Sequence, residues 1–546
     1  MTIPMTPNLQ QNGEPDVVSP VGNVSNVLPQ DGKAWWKKPH LLKLNFYIFS
    51  FILFSSSNGY DGALMNGLQA LPLWQDFMGH PTGAWLGFMN ACTSLGGVIM
   101  AWPSAWVSQK WGRKSGIYLG YVFLVVSVIL QTVAPNPAAF IAGRILIGFA
   151  GQLYGNSTPL LIAETAYPSH RAIATALYMC GWYIGSLIAA WVTFATRHYS
   201  TDWSWKTPVL LQIAIPVFSL PGAILAPESP RWHVAEDRLD KATDTLVKHH
   251  GGGIRDDVIN FEIQEIVSTL QSEKEVAATT SWNSLIQTKG NRHRMFITVS
   301  LGFLAQWNGV NVVSYYFVMM LEAAGIRSLD HQTLLNGCMQ IWNLVFAVGA
   351  AFSVDRLGRR KLFLISNGGM VISYICITAL SGVYARSDAA PVGTAVIPFI
   401  FIFYAFYDIA YTPLLVAYPA EIWPYTFRSR GIAATQLCTQ ASVVLNVFIN
   451  PIALDAIAWR YYIVFDAVLC VAILTVWFFY PETKGHTLEE MAVVFDGPDA
   501  AVYGTGKGAV GDQLDKGDLG VDVVHDEGLD DHATTPDVAK DSSTRG

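Results

Sequence analysis

The chain has 546 residues, of which 51% are hydrophobic and only 14% are charged, and its mean hydropathy is +0.32. This composition excludes an ordinary soluble domain and indicates a polytopic membrane protein, so we expect the lipid bilayer as a partner. The net charge of −7 comes largely from the tail after Phe495, and the absence of a basic patch argues against nucleic acid as a partner.

Residues 1–43 are predicted to form a cytoplasmic N-terminal tail. Its first 32 residues lack the charged start and apolar core of a cleavable signal peptide, so the first apolar segment should itself direct insertion. Apolar runs of about 18 or more residues predict membrane-spanning helices. Twelve such segments follow in two sets of six, near 45–66, 84–107, 116–134, 138–162, 173–195, 207–226, 295–320, 334–354, 362–384, 394–417, 432–452 and 461–480.

The two sets define an N-terminal half at 44–226 and a C-terminal half at 295–480. Between them lies a polar linker at 227–294, whose charge pattern predicts short helices, and residues 481–546 form an acidic tail that is predicted to be largely disordered. Basic residues concentrate before segment 1, in the linker and in the loops after segments 2, 8 and 10. The positive-inside rule therefore predicts that these loops, the linker and both termini are cytoplasmic.

The two halves repeat three short motifs in the same order. "QKWGRKS" at 109–115 recurs as "DRLGRRK" at 355–361, "AETAYPSHR" at 163–171 as "AEIWPYTFR" at 420–428, and "PES" at 227–229 as "PET" at 481–483. Such duplication is typical of alternating-access transporters, in which the substrate site lies near the midplane between the halves. The predicted fold class is an all-α membrane protein with twelve transmembrane helices in two six-helix halves related by pseudo-two-fold symmetry.

These motifs, together with "GYD" at 59–61, "GR" at 143–144 and "PETKGHTLEEM" at 481–491, resemble the sugar porters of the major facilitator superfamily. The stretches "GYDGALMNGLQ" and "AQWNGVNVVSYYF" are most similar to the fungal lactose-permease-like and cellodextrin-transporter branch. The resemblance implies the major facilitator fold and a multi-pass plasma-membrane protein that moves a sugar by alternating access. We expect a monomer without a cofactor or a metal site.

One carboxylate, Asp61, lies inside the first apolar segment. An ionised side chain in hydrocarbon costs roughly 2.5–3.5 kcal/mol, so its presence there is a hypothesis of function. In proton-coupled sugar porters the acid of "GYD" faces the arginine of "GR", which is Arg144 here, and the resemblance implies that this pair carries the proton. The alternative is a static ion pair between two helices, since some facilitative members keep an acid at this position.

Charged residues recur at matched positions on the predicted cytoplasmic side of both halves. We expect them to gate this side through ion pairs between the halves, each partly exposed pair contributing about 1 kcal/mol. Ordinary surface charge is the alternative, and Gln109 in place of an aspartate predicts a weaker network in the N-terminal half. The predicted gating residues are Arg113, Glu164, Arg171, Glu228, Asp355, Arg359, Glu421, Arg428 and Glu482.

Segment 7 offers amides, which suit sugar hydroxyls because each has donor and acceptor atoms. The family pattern has two glutamines here, whereas this chain has Ala305 followed by Gln306. In contrast, Asn308, Asn311 and Tyr315 follow the i+3, i+4 spacing of a single helical stripe. Amides that only bond between helices are the structural alternative. The predicted substrate-binding residues are Gln306, Asn308, Asn311, Tyr315, Asn343, Gln440 and Trp182.

The substrate is predicted to be a disaccharide such as lactose or cellobiose, or else a hexose. Val416 stands where many monosaccharide carriers of the family have a tryptophan, and Met179 where the family usually has an amide. These changes favour the larger sugar. A facilitative hexose transporter and a non-transporting sugar sensor are the alternatives, whereas no catalytic constellation supports an enzyme. Asp408 is a second membrane carboxylate, to which the resemblance assigns no role.

Overall fold

The computed structural model describes residues 35–279, 281–484 and 488–496, so most of the two predicted tails lies outside the described residues. The described chain is built from α-helices and turns. The helices are α1 (Pro39–Gln69), α2 (Pro72–Met78), α3 (Gly83–Lys110), α4 (Arg113–Thr132), α5 (Pro137–Thr165), α6 (Pro168–Thr196), α7 (Trp203–Leu210), α8 (Ala214–Leu225), α9 (Pro230–Ala235), α10 (Leu239–His249), α11 (Asp257–Thr279), α12 (Lys289–Trp307), α13 (Val310–Ala323), α14 (Leu329–Leu357), α15 (Arg359–Ser387), α16 (Ala390–Thr394), α17 (Val396–Ile422), α18 (Tyr425–Ile457), α19 (Tyr462–Phe479) and α20 (Leu488–Asp496).

Ten candidate membrane spans are found within the described residues, against the twelve that the sequence predicts. The 31-residue helix α1 is not among the ten, because its serines, asparagines and Asp61 dilute its apolar character. The last candidate is 54 residues long and contains both α18 and α19. If α1 is counted as a span, and α18 and α19 are counted separately, the number of membrane spans is twelve. This number stays a prediction.

Two predicted segments are not single helices. The segment at 207–226 is divided into α7 and α8 by a short 3-10 turn, and the segment at 295–320 is broken between α12 and α13. Gly309 occupies this break with φ +99°. Only glycine takes this conformation without strain, and a Cβ there would lie 2.5 Å from the ring of Tyr374. The sequence pattern alone therefore overestimated the continuity of segment 7.

The linker forms α9, α10 and α11 and is docked on the N-terminal half. His250, just after α10, lies 2.7 Å from Glu262 Oε2 of α11 and 3.1 Å from the Thr165 carbonyl at the end of α5. The next membrane helix starts at Lys289, six residues before the predicted start at 295.

Each half has its own apolar core, and the halves meet mainly along α3 with α18, α6 with α14 and α1 with α13. A small cluster of Leu86, Ala91, Tyr316 and Val447 lies on this interface. Both predicted functional segments, α1 and the broken α12–α13, therefore border the boundary between the halves, where a substrate site of a two-half transporter is expected.

Candidate functional site

Glycines position Asp61 by bringing α1 against α6. A Cβ on Gly59 would lie 1.8 Å from the Trp182 carbonyl oxygen, and one on Gly185 would lie 1.7 Å from the Ser56 carbonyl oxygen. Gly62, next to Asp61, leaves room for the indole of Trp182, which would approach a Cβ to 2.7 Å. Small residues let membrane helices approach closely, so the glycines around Asp61 allow α1 to pack directly on α6.

Asp61 and Arg144 form a buried ion pair between α1 and α5. Arg144 Nη1 donates to Asp61 Oδ1, whereas Arg144 Nε has no hydrogen-bond partner among the described residues. Tyr315 lies near enough to interact electrostatically with both members of the pair. A buried pair is costly to break by removing one partner, because the remaining charge is left without compensation. The geometry places a potential proton carrier beside the broken segment 7.

The break between α12 and α13 gathers the predicted amides, but not on one stripe. Asn311 Nδ2 donates to both the carbonyl and Oε1 of Gln306, each at 3.2 Å, and both side chains are buried. Asn308 Oδ1 instead accepts from the backbone N–H of Val310 at 3.0 Å, while its Nδ2 has no partner among the described residues. The continuous stripe expected from the sequence is therefore wrong, because Gly309 ends the first helix.

A second irregularity follows at Tyr316, whose φ of −132° and ψ of 29° kink α13. The amide of Asn66 in α1 fills this kink, donating to the Ser314 carbonyl and accepting from the Phe317 N–H at 3.2 Å. Gln69 Nε2 donates to the Tyr315 carbonyl at 2.9 Å. These side chains replace helical partners that the kink removes, which buried backbone groups need. We call Asn66 and Gln69 the amide latch, since they tie the two halves together.

The structure also shows which residues surround Asp408, which the sequence did not indicate. Asp408 is fully buried in α17, and its Oδ1 accepts from Tyr183 Oη of α6 at 2.7 Å and from Thr412 Oγ1 at 3.1 Å. Its Oδ2 has no partner among the described residues, and Tyr404 and Tyr407 lie within electrostatic range. The sequence did contain a signal for Asp408, because it is a carboxylate inside an apolar run. Its contact with the other half makes it a candidate functional residue.

The remaining predicted substrate residues lie around this boundary. Trp182 is 41% exposed beside Gly62, and Tyr315 is half-buried next to the kink. Gln440 of α18 faces the N-terminal half, with its Nε2 3.8 Å from the position of a Cβ on Gly97. Asn343 of α14 is buried, and its Oδ1 has no partner among the described residues. Polar atoms without partners are candidates to bind a hydroxylated ligand.

At the predicted cytoplasmic end, each half repeats one charged arrangement. Arg113 binds Glu164 through two hydrogen bonds of 2.9 and 3.0 Å, and Arg359 binds Glu421 with a shortest contact of 2.8 Å. Glu228 accepts from the N–H groups of Arg113 and Lys114 at the start of α4, as Glu482 does from those of Arg359 and Arg360 at the start of α15. These two pairs each lie within one half, and the expected ion pairs between the halves stay a prediction.

Glu228 and Glu482 cap helix N-termini, whose unpaired N–H groups favour negative charge. Burial raises the pKa of the Glu228 carboxyl, and the N–H groups that it accepts act in the opposite direction. Arg171 contacts Glu262 of the linker at 3.9 Å, and Arg428 lies in the first turn of α18. The side chain of Asp355 lies outside the described part of the chain.

The opposite end carries a contact that the sequence analysis missed. Arg197, just after α6, binds Asp330 in the first turn of α14 with Nε to Oδ1 at 2.5 Å, and His198 Nε2 lies 2.8 Å from the same oxygen. This bridge and the amide latch join the halves at the predicted outer end. In contrast, the Arg113–Glu164 and Arg359–Glu421 pairs at the predicted cytoplasmic end each stay within one half. The arrangement suits a protein whose outer side is closed in this conformation.

Comparison with known proteins agrees with this architecture. The profile of the family described as "Sugar (and other) transporter" matches residues 48–495. The MFS-type transporter criB of Aspergillus cristatus is 28% identical over 80% of this chain and 90% of its own length. The low-affinity glucose transporter of Kluyveromyces lactis is 26% identical over 75% of this chain and 73% of its own length.

The fold is similar to that of the xylose transporter XylE from E. coli in a partially occluded inward-open conformation. The TM-score is 0.68 at 21% identity, and the alignment covers 81% of this chain and 99% of XylE. At this identity the likeness concerns the fold alone. The profile match over most of the sequence shows that the chain belongs to the sugar (and other) transporter family of the major facilitator superfamily, and that it is an integral membrane transporter rather than an enzyme.

Proposed function

We propose that this protein is a proton-coupled sugar symporter that works by alternating access. The observation that carries the proposal is the buried Asp61–Arg144 pair, which lies between α1 and α5 and within electrostatic range of Tyr315 at the boundary of the halves. Burial disfavours the charged carboxylate, whereas a nearby guanidinium favours it. A change in the distance between them during the cycle would therefore take up and release a proton.

The relatives support a neutral sugar as the substrate class. The K. lactis relative is named a glucose transporter, and a further XylE structure is titled a proton:xylose symporter. Val416 in place of the family tryptophan favours a larger pocket, so a disaccharide such as lactose or cellobiose and a hexose are both proposed. The sugar would be bound by Gln306, Asn308, Asn311, Tyr315, Asn343, Gln440, Trp182 and, newly, Asp408.

We place the protein in the plasma membrane with both termini in the cytoplasm. The basic loops before α4 and α15 lie at the same end of the bundle, as the positive-inside rule requires of cytoplasmic loops. In this orientation the amide latch and the Arg197–Asp330 bridge close the extracellular side. The pairs Arg113–Glu164 and Arg359–Glu421 then brace each half separately on the cytoplasmic side.

The test compares Asp61→Asn with the wild type in cells that lack their own sugar carriers. The variant cannot release a proton, so net uphill uptake and sugar-induced alkalinisation of the medium should be lost. Exchange of internal for external sugar should survive, because it needs no deprotonation of the loaded carrier. A membrane potential of 100 mV is worth about 2.3 kcal/mol per charge, which only a titrating carrier can use.

Asp466→Asn is the matched control, since Asp466 is a carboxylate in α19 that accepts from Thr378 at 2.8 Å within one half. The sugar-induced alkalinisation in cells with Asp466→Asn should match that with the wild type. Wild-type alkalinisation in Asp61→Asn would exclude Asp61 as the proton carrier. A wild type that transports downhill without alkalinisation would indicate a facilitative hexose transporter, and sugar binding without uptake would indicate a sensor.

A competition panel of glucose, xylose, lactose and cellobiose defines the sugar. Val416→Trp tests the volume argument, because an indole there should impair disaccharide uptake more than hexose uptake. Equal loss for both classes of sugar would contradict the larger pocket.

A further inference from the structure

We propose that the predicted cytoplasmic end of α1 forms a binding site for one anionic phospholipid. An apolar groove and a polar pocket adjoin there, with volumes of about 670 and 430 Å³, and they share Leu225 at the end of α8. The groove suits an acyl chain and the pocket suits a charged headgroup.

The groove lies on the lipid-facing side of α1. Leu42, Phe46 and Phe49 are 50, 52 and 57% exposed, and they line the groove with Leu225, which is 63% exposed. Trp35 lines its end, just before the start of α1 at Pro39. Tryptophan is enriched where a membrane meets water, so the groove is placed at the depth of lipid headgroups and upper acyl chains.

Lysines line both the polar pocket and the adjoining groove. Lys241 and Lys248 of α10 line the pocket, and Lys43 lines the adjoining groove. Tyr47 of the groove packs edge-on against His249 of the pocket, with ring centroids 6.1 Å apart, so the two parts are in direct contact. Burial is the main cause that lowers the pKa of His249 to about 4, and the charges of Lys248, His250 and Lys43 act in the same direction.

Two acids, Glu228 and Asp244, also line the pocket, so the three lysines give the groove and the pocket together a net charge of +1. The Glu228 carboxylate already accepts the N–H groups of Arg113, Lys114 and Ser229 at 3.0, 3.1 and 2.9 Å. Asp244 is exposed on α10 and offsets only one of the three lysines. Cytoplasmic leaflets contain anionic lipids that bind clustered lysines near the membrane surface. The apolar groove and this net positive charge together select a lipid rather than a free anion.

The test measures lipid retention by the full-length protein in detergent with equimolar dioleoyl-phosphatidylserine and dioleoyl-phosphatidylcholine, using native mass spectrometry. The wild type should retain phosphatidylserine preferentially, and Lys43→Gln/Lys248→Gln should lower this preference by about fivefold or more. The matched control is Lys110→Gln/Lys274→Gln, which removes two other exposed lysines, from α3 and α11, and should leave the preference unchanged.

Two further experiments test whether the site binds something other than a whole phospholipid. Glycerophosphoserine, which has the headgroup without acyl chains, should not displace the lipid at equal concentration, and displacement would overturn the role of the groove. Deleting residues 1–34 tests whether the chain's own N-terminal segment fills the groove. Phosphatidylserine retained only after this deletion would overturn the proposal, as would equal retention by the two double variants.

Discussion

Gln306 and Asn311 illustrate how single residues are prepared for a hydroxylated ligand. Their mutual contact at 3.2 Å keeps both amides in place while leaving Gln306 Nε2 available to donate. Gln306→Ala should weaken the apparent affinity for sugar by about tenfold, because a hydroxyl or an amide left unpaired in the occluded site costs about 1–3 kcal/mol. The measurement is the concentration dependence of labelled-sugar uptake.

Gln131→Ala is the control for this substitution. Gln131 is also a buried amide, but it donates to Ser127 at 2.9 Å inside the N-terminal half, away from α12 and α13. It should reduce the amount of folded protein without changing the affinity of the remainder. An unchanged affinity in well-expressed Gln306→Ala would contradict direct binding.

Asp408 provides the second residue-level prediction. Its fully buried carboxyl touches Tyr183 across the boundary of the halves and has one oxygen without a partner in the described structure. Asp408→Asn keeps the shape but alters the donors and acceptors. We expect transport to fall about tenfold or more, as the loss of a charged or strong hydrogen bond implies. Transport by Asp466→Asn should fall less than twofold. Similar losses of transport in both variants would contradict a special role for Asp408.

At the scale of elements, packing of α1 on α6 depends on the absence of side chains. Gly59→Ala would put a methyl group 1.8 Å from the Trp182 carbonyl oxygen, so the helices must separate. Overpacking costs typically about 1–3 kcal/mol, and we expect a lower melting temperature for the detergent-purified protein.

Gly368→Ala in α15 is the matched substitution, because nothing lies within 4 Å of its Cβ position. Alanine is favoured over glycine within helices by about 1 kcal/mol, so this variant should melt at the wild-type temperature or above. A Gly59→Ala protein as stable as Gly368→Ala would show that α1 and α6 do not need this close approach.

At the scale of the whole molecule, contacts between the halves join them at the predicted outer end. Removing the Asn66 amide leaves the Ser314 carbonyl and the Phe317 N–H without their partner. Asn66→Ala should therefore shift the equilibrium towards an outward-open state by about tenfold, as a loss of about 1.4 kcal/mol implies. Electron–electron distance measurements between spin labels at positions 76 and 387, in a cysteine-free background, would detect the longer distance.

Asn450→Ala provides the control, since Asn450 bonds to Asn446 and Tyr461 within the C-terminal half. Its distance distribution should match the wild type. A distribution in Asn66→Ala that is also unchanged would mean that the amide latch does not hold the outer side closed.

The sequence by itself determined the membrane class, the family and most helix positions. Apolar runs, basic loops and repeated motifs are local signals, and they were sufficient to identify a sugar transporter family that the profile match confirms. The carboxylates inside apolar runs were equally visible, because their cost in hydrocarbon makes them stand out. The resemblance to the family also indicated Arg144 as the partner of Asp61, and the two side chains form an ion pair in the structure.

Only the tertiary structure decided how these residues meet. Asp408 and Tyr183 are 225 positions apart, and helical periodicity indicates a face but not which distant helix covers it. The break at Gly309 and the kink at Tyr316 depend on backbone angles that an apolar pattern does not specify. At the predicted cytoplasmic end Arg113 pairs with Glu164 and Arg359 pairs with Glu421, each within one half, and the spacing of the motifs did not specify these partners.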